Sequence, residues 1–149
     1  MVNRNALGKT GDTFDVDIER GKIREFARAT FSTNPSYLVD PSPVCEPTFL
    51  TTMIFWQDER SDPWREVEMN LERGLHAEQE FVFFGPPPRA GTRLHARSTI
   101  SEVFEKEGRR GGTMMFAVMV TDFLDDHGVV VAQSKMTGVE TARAPQEQS

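Results

Sequence analysis

The sequence predicts an α+β fold in which one long, strongly curved antiparallel sheet wraps a buried helix. Three observations carry that expectation. Residues 75–84, 93–104, 113–124 and 129–141 are four extended runs separated by Gly- and Pro-rich turns. Residues 23–31 carry a helical period instead, with Ile23, Phe26, Ala27, Thr30 and Phe31 at i, i+3, i+4, i+7 and i+8. Between these regions lies a nearly all-apolar or Thr stretch, residues 48–57, too hydrophobic for a surface helix.

Taken in order, residues 14–16 form a short first strand. Arg20, Lys22, Arg24, Glu25 and Arg28 cover the polar side of the helix that follows. Thr33-Asn34-Pro35 stops it, because the residue before proline avoids the α region. Residues 34–47 are a loop with four prolines, Pro35, Pro41, Pro43 and Pro47. Pro47 suits the first turn of the buried helix at residues 48–57, for which a β-branched strand is the alternative. Residues 58–73 are charged, carry Trp64, and read as an irregular excursion with a short helix.

Each strand then has its own signature. Run 75–84 sets Leu75, Ala77, Phe81 and Phe83 against His76, Glu78 and Glu80, the period-two alternation of a half-wet strand. Run 93–104 sets Leu94, Ala96, Ile100 and Phe104 against Arg93, His95, Arg97, Thr99 and Ser101. Run 113–124 is apolar on both faces, as a central, doubly covered strand requires. Run 129–141 has a small apolar face, Val130, Ala132, Met136 and Gly138. The connections at 105–112 and 125–128 are short enough for consecutive strands to pair antiparallel. This order is the hot-dog architecture. A single such sheet leaves an edge to cover, so a second hot-dog unit is expected to pair with it.

Composition narrows the function. The 149 residues are expected to form one domain over 14–141, between flexible ends at 1–13 and 142–149. A net charge of −6 argues against nucleic acid as a partner, since phosphate binding needs a concentrated basic surface. The single cysteine, Cys45, allows no internal disulfide and fits a reducing compartment. The N-terminus has no apolar signal segment, and no run approaches the length of a membrane span, so a cytoplasmic protein is expected.

Four segments resemble a known family: "IERGKIREFARAT" with "NPSYLVDPS", "PTFLTT", and "LHAEQEFVFFGPPPRAGTRLHARSTISEVFEKEG". They are similar to the MaoC-like dehydratases, most of all to the N-terminal dehydratase half of two-part (R)-specific enoyl-thioester hydratases and hydroxyacyl dehydratase subunits. The resemblance implies a hot-dog fold and reversible addition of water to trans-2-enoyl thioesters of coenzyme A or acyl carrier protein, with no other cofactor. The active half of that family carries Gly-Asp-x-Asn-Pro-x-His after its first helix. Its Asp and His position and deprotonate a water and protonate the α-carbon. A backbone N–H at a helix start polarises the thioester carbonyl. Laid on this chain, the pattern falls on residues 31–37. Asn34 and Pro35 match, whereas Ser32 stands at the Asp position and Tyr37 at the His position. Neither residue type is a base near neutral pH, phenols ionising at ~10 and alcohols higher. The resemblance therefore implies a subunit that shapes the acyl tunnel while a partner hot-dog chain supplies the Asp/His dyad.

Further candidates stand beside this reading. His76, Asn34, Pro35, Gln79, Arg89 and Arg93 are candidate substrate-binding residues. Gln79 interrupts an apolar strand face, and its alternatives are a satisfied amide or a lining of the acyl tunnel. Glu46, ahead of the buried helix, is the candidate base of an alternative hot-dog acyl-CoA thioesterase. A carboxylate favoured by the helix dipole is the competing reading there. Cys45 has no evident base nearby to make it a nucleophile. Arg89, Arg93, Arg97, Lys106, Arg109 and Arg110 are candidates for coenzyme A phosphates or for an acidic carrier protein. His95 and His127 read as solvated, and the three histidines are too scattered for a metal site. A non-catalytic acyl-thioester-binding homodimer is the third reading.

Overall fold

The computed structural model describes residues 1–108 and 112–142; Arg109 and Arg110 lie outside the described residues. Five strands, β1 (Phe14–Asp17), β2 (Gly74–Phe83), β3 (Arg93–Glu107), β4 (Thr113–Leu124) and β5 (Val130–Glu140), form one antiparallel sheet in the order β1-β3-β4-β5-β2. The β3–β4 and β4–β5 hairpins pair as their short connections require. β2 crosses to the far side of the sheet and pairs with β5, which makes it an edge. β4 is the central strand. Its inner face is closed, with Met115, Ala117, Met119, Thr121 and Phe123 buried. The outer face, expected to be covered as well, is buried at Val118 but only half-buried at Met114, Phe116, Val120 and Leu124.

A β-bulge changes which residues of β2 share a face. The register shifts between His76 and Glu78. His76, Gln79, Phe81 and Phe83 then lie opposite Gly138, Met136, Ser134 and Ala132, all on one side of β5. The alternation placed Leu75 and Ala77 with Phe81 and Phe83; the extra residue at Ala77 moves His76 there instead and leaves Leu75 half exposed on the outer face. A second bulge, between Ile100 and Glu102, bends β3.

Helix α1 (Arg20–Ala29) buries Ile23 and Ala27 and sets Phe26 edge-on to Phe49, centroids 5.6 Å apart. It stops before Phe31, which the period had put on the buried face. Ser32 N–H donates to Ala27 O, the 6→1 bond of a Schellman cap, and Phe31 takes φ +57° with its ring 91% exposed. A short helix, α2 (Pro35–Leu38), follows with Pro35 in its first turn.

The stretch at 48–57 is a helix but not a long α-helix. It is a seven-residue 3-10 helix, Phe49–Phe55. Its Thr, Ile and Phe content is poor in α formers. Phe49, Leu50, Thr52 and Met53 are buried, while Ile54 and Phe55 are 61% and 68% exposed. With Leu94, Ala96 and Ile100 of β3 and the inner residues of β4, this segment forms the core.

The N-terminal residues are packed rather than frayed. Val2 and Ala6 are buried, Asn3 N–H donates to Val67 O at 2.9 Å, and Gly8 and Gly11 N–H donate to Ile100 and Ser98 carbonyls of β3. The excursion at 58–73 holds the 3-10 helix Pro63–Val67, whose Trp64 lies against Gly138 so closely that a Cβ there would sit 2.7 Å from the indole. Among the described residues no helix is long and apolar enough to cross a membrane.

Candidate active site

The loop from the end of α1 to the 3-10 helix carries the first group of candidates. Ser32 and Asn34 build its turn: Asn34 N–H donates to Ser32 Oγ (3.3 Å), and Ser36 N–H donates to Asn34 Oδ1 (3.0 Å), capping α2. The Ser36 N–H at the start of α2 is therefore engaged by Asn34. Tyr37 is half-buried against the hydrophobic core, and Pro35 is exposed.

Glu46 arrives at the same loop from the other side. It is only 7% exposed, and its Oε2 accepts from Thr30 Oγ1 at 3.1 Å, two residues before Ser32. Thr30 has one hydroxyl proton and two further acceptors in reach, Phe26 O at 3.2 Å and Ala27 O at 3.1 Å. Oε1 of Glu46 is buried with no hydrogen-bond partner. A buried carboxyl left so incompletely satisfied calls for a donor, such as a water or an N–H or O–H. Sequence reading missed Thr30, which it assigned to an apolar helix face. A hydroxyl in the last turn of that face, needing acceptors of its own, was the signal. Neighbouring Cys45 is buried, and burial pushes its thiol up to about 12, so it is no nucleophile at neutral pH.

The second group lies on β2. His76 and Gln79 share the inner side of the strand with Phe81 and Phe83, and both are exposed. The amide of Gln79 donates to Ser134 Oγ (2.8 Å) and Lys135 O (3.3 Å), which fixes its side chain.

The basic candidates separate. Arg89 is exposed and donates to Ser42 O at 2.7 Å. Arg93 is committed to carboxylates, with Nε 2.6 Å from Asp17 Oδ1 and Nη2 3.0 Å from Oδ2. β1 lays Asp17 opposite it, and that ion pair engages the guanidinium. The guanidinium holds the Asp17 carboxyl below its ordinary range. Lys106 lies over the stacked rings of Phe104 and Phe116.

His95, read as solvated, is bridged on both nitrogens: Nδ1 to Asp15 at 2.7 Å and Nε2 to Asp126 at 3.3 Å. Carboxylates on both nitrogens favour the protonated ring, and the bridge faces solvent. The Asp15 hydrogen bond raises the His95 pKa above 6.5; desolvation opposes it and Asp126 adds to it. Because the folded pKa is the higher one, the stabilisation is fully present below about pH 6.5 and is lost as pH rises through the folded value. His95→Gln is thus expected to lower Tm most at pH 5–6, with the difference shrinking toward pH 9. A difference independent of pH would contradict the bridge. His127 sits exposed in the β4–β5 turn, and no cluster of three or more metal-ligating side chains occurs among the described residues.

Residues 5–134 match the family described as FAS1-like, dehydratase domain region. A UPF0336 protein of Streptomyces coelicolor is 31% identical over 104 residues, 64% of this chain and 69% of its own. The HadBC (3R-hydroxyacyl-ACP dehydratase) complex of Mycobacterium tuberculosis contains a chain that superposes with TM-score 0.69 at 26% identity, over 90% of this chain and 96% of that one. A MaoC-like dehydratase superposes with TM-score 0.73 at 22% identity, over 91% of this chain and 42% of that one. The sheet and its enclosed helical segment are the hot-dog fold of these relatives.

Proposed function

The chain belongs to the FAS1-like, dehydratase domain region family, and on that premise we propose that it is one hot-dog subunit of an (R)-specific enoyl-thioester hydratase. The reaction adds hydroxide to C3 and a proton to C2 of a trans-2-enoyl thioester, or removes both in the dehydratase direction. Fatty-acyl or sterol-derived thioesters of coenzyme A or acyl carrier protein are the substrates. This chain shapes the acyl tunnel, and a partner hot-dog chain brings the Asp/His dyad.

The observation that carries this reading is the loop after α1. It keeps the family's Asn34-Pro35 turn, with Asn34 capping α2, while Ser32 and Tyr37 stand at the Asp and His positions as a turn acceptor and a packed ring. The edge strand β2 supports the partner: its free side asks for cover, and His76 and Gln79 lie on its inner face, where a second chain would close over them. The hydroxyacyl-ACP dehydratase named above is itself a complex of two chains. Hydration of a short trans-2-enoyl-CoA, followed at the enoyl absorbance, tests the reading. The chain alone is expected to be silent; turnover by the chain alone would contradict it.

One observation favours a second reading. The open Oε1 of buried Glu46 could hold a water for thioester hydrolysis. The two readings separate on Glu46→Gln. As a hydratase subunit the variant keeps hydration by the reconstituted complex within about threefold, and neither protein cleaves the thioester. A catalytic base would lose ~10²- to 10⁴-fold, seen as lost release of free thiol.

A further inference from the structure

Helix α1 carries a row of charge that nothing in the fold uses. Arg20, Arg24 and Arg28 stand at i, i+4 and i+8, all exposed, and none makes an ion pair or side-chain hydrogen bond among the described residues. At 1.5 Å per residue the row is ~12 Å long. It begins at the positive end of the helix dipole, where acidic residues are favoured, yet the first turn holds none and Glu19 makes no capping bond. It ends at Phe31, 91% exposed in a left-handed conformation that side-chain-bearing residues rarely take. A chain of net charge −6 thus keeps three uncompensated arginines in line and presents an aromatic ring beyond them. Arginine and aromatic rings are the side chains that anchor protein interfaces.

We propose that this flank of α1 is a docking surface for an acidic helix of a protein partner, an acyl carrier protein delivering its thioester. The inference rests on the acyl-thioester reading above and chooses the protein carrier over free coenzyme A for this surface. Guanidinium groups spaced by one helical turn along ~12 Å match carboxylates at the same spacing on a facing helix. A diphosphate is more compact and needs converging groups in a concavity. The neighbouring depression that includes Arg20 also holds Glu19 and the Asp17–Arg93 ion pair, so it concentrates no net positive charge for a phosphate. Phe31 supplies the apolar contact at the end of the row.

The test titrates the full chain with a bacterial phosphopantetheinylated acyl carrier protein by calorimetry, at low and high NaCl. Saturable binding that weakens with salt is expected. The double variant Arg24→Glu/Arg28→Glu should weaken it at least ~10-fold and remove most of the salt dependence, and Phe31→Ala should weaken it several-fold. A circular dichroism melt confirms that the variants are folded. Absence of binding by the wild-type chain, or binding indifferent to the charge reversal, would overturn the proposal. So would a wild-type self-association abolished by the reversal, which would give the surface to a second copy. Hydration of free enoyl-CoA by the reconstituted complex separates the two claims. Hydration without carrier binding contradicts only the docking surface; carrier binding without hydration contradicts only the proposed reaction.

Discussion

Phe49→Ala is expected to lower the unfolding free energy by about 4 kcal/mol. Its ring is fully buried, meets Phe26 of α1 edge-on at 5.6 Å, and belongs to the cluster shared with β3 and β4. Two costs add: the transfer free energy of the ring and the cavity left behind. The cavity closes poorly here, because the 3-10 helix is only seven residues long and is held by what it buries. Phe49 N–H also donates to Glu46 O, so the change loosens the segment that presents the candidate carboxyl. Urea denaturation should show a lower midpoint at an unchanged slope. A loss below about 1 kcal/mol would mean that the helix is not anchored by this ring.

Gly11→Ala is the second large effect, about 3 kcal/mol. The required Cβ would lie 2.3 Å from Ser61 O and 2.6 Å from Ser61 C, both backbone atoms. No rotamer change relieves that overlap. One of two segments must move, and both are tied down. Gly11 N–H donates to Ser98 O, Asp12 N–H donates to Arg60 O, and Ser61 Oγ donates to the carboxylate of Asp58. The same change would be nearly neutral if residues 1–13 were loose, so a thermal melt of this variant measures how firmly the N-terminal segment is docked.

The parts of the fold legible in the sequence were those set by local pattern. β3, β4 and β5 were readable because alternation, apolar content and short turns agree over long runs. The face of β2 was not readable, since its bulge at Ala77 exists only against the register of β5. The 48–57 stretch was readable as a buried helix, but its 3-10 form and the exposure of Ile54 and Phe55 were not read from the apolar run. Packing of the N-terminus depends on two small apolar anchors, Val2 and Ala6, too few for a period to show.

The site divides in the same way. Ser32, Asn34 and Tyr37 lie close together in sequence, so their shared turn and short helix could be read locally. Arg93 looked like an open cation because Asp17, its partner, is remote in sequence and adjacent only across β1 and β3. The burial of Glu46 and its contact with Thr30 required the turn that folds the proline-rich loop back onto α1. Such long-range pairings carry no local signal.

The central claim is that this chain shapes the site and another chain performs the acid–base chemistry. Its most direct test is hydration of a trans-2-enoyl-CoA by this chain reconstituted with a hot-dog partner bearing an intact Gly-Asp-x-Asn-Pro-x-His segment. Substituting the partner's Asp or His should reduce kcat by ~10²- to 10⁴-fold, the range for a lost general acid or base. Ser32→Ala and Tyr37→Phe in this chain should leave it within about threefold. The opposite pattern, a tolerant partner and a complex silenced by Ser32→Ala or Tyr37→Phe, would place the chemistry in this chain and contradict the account.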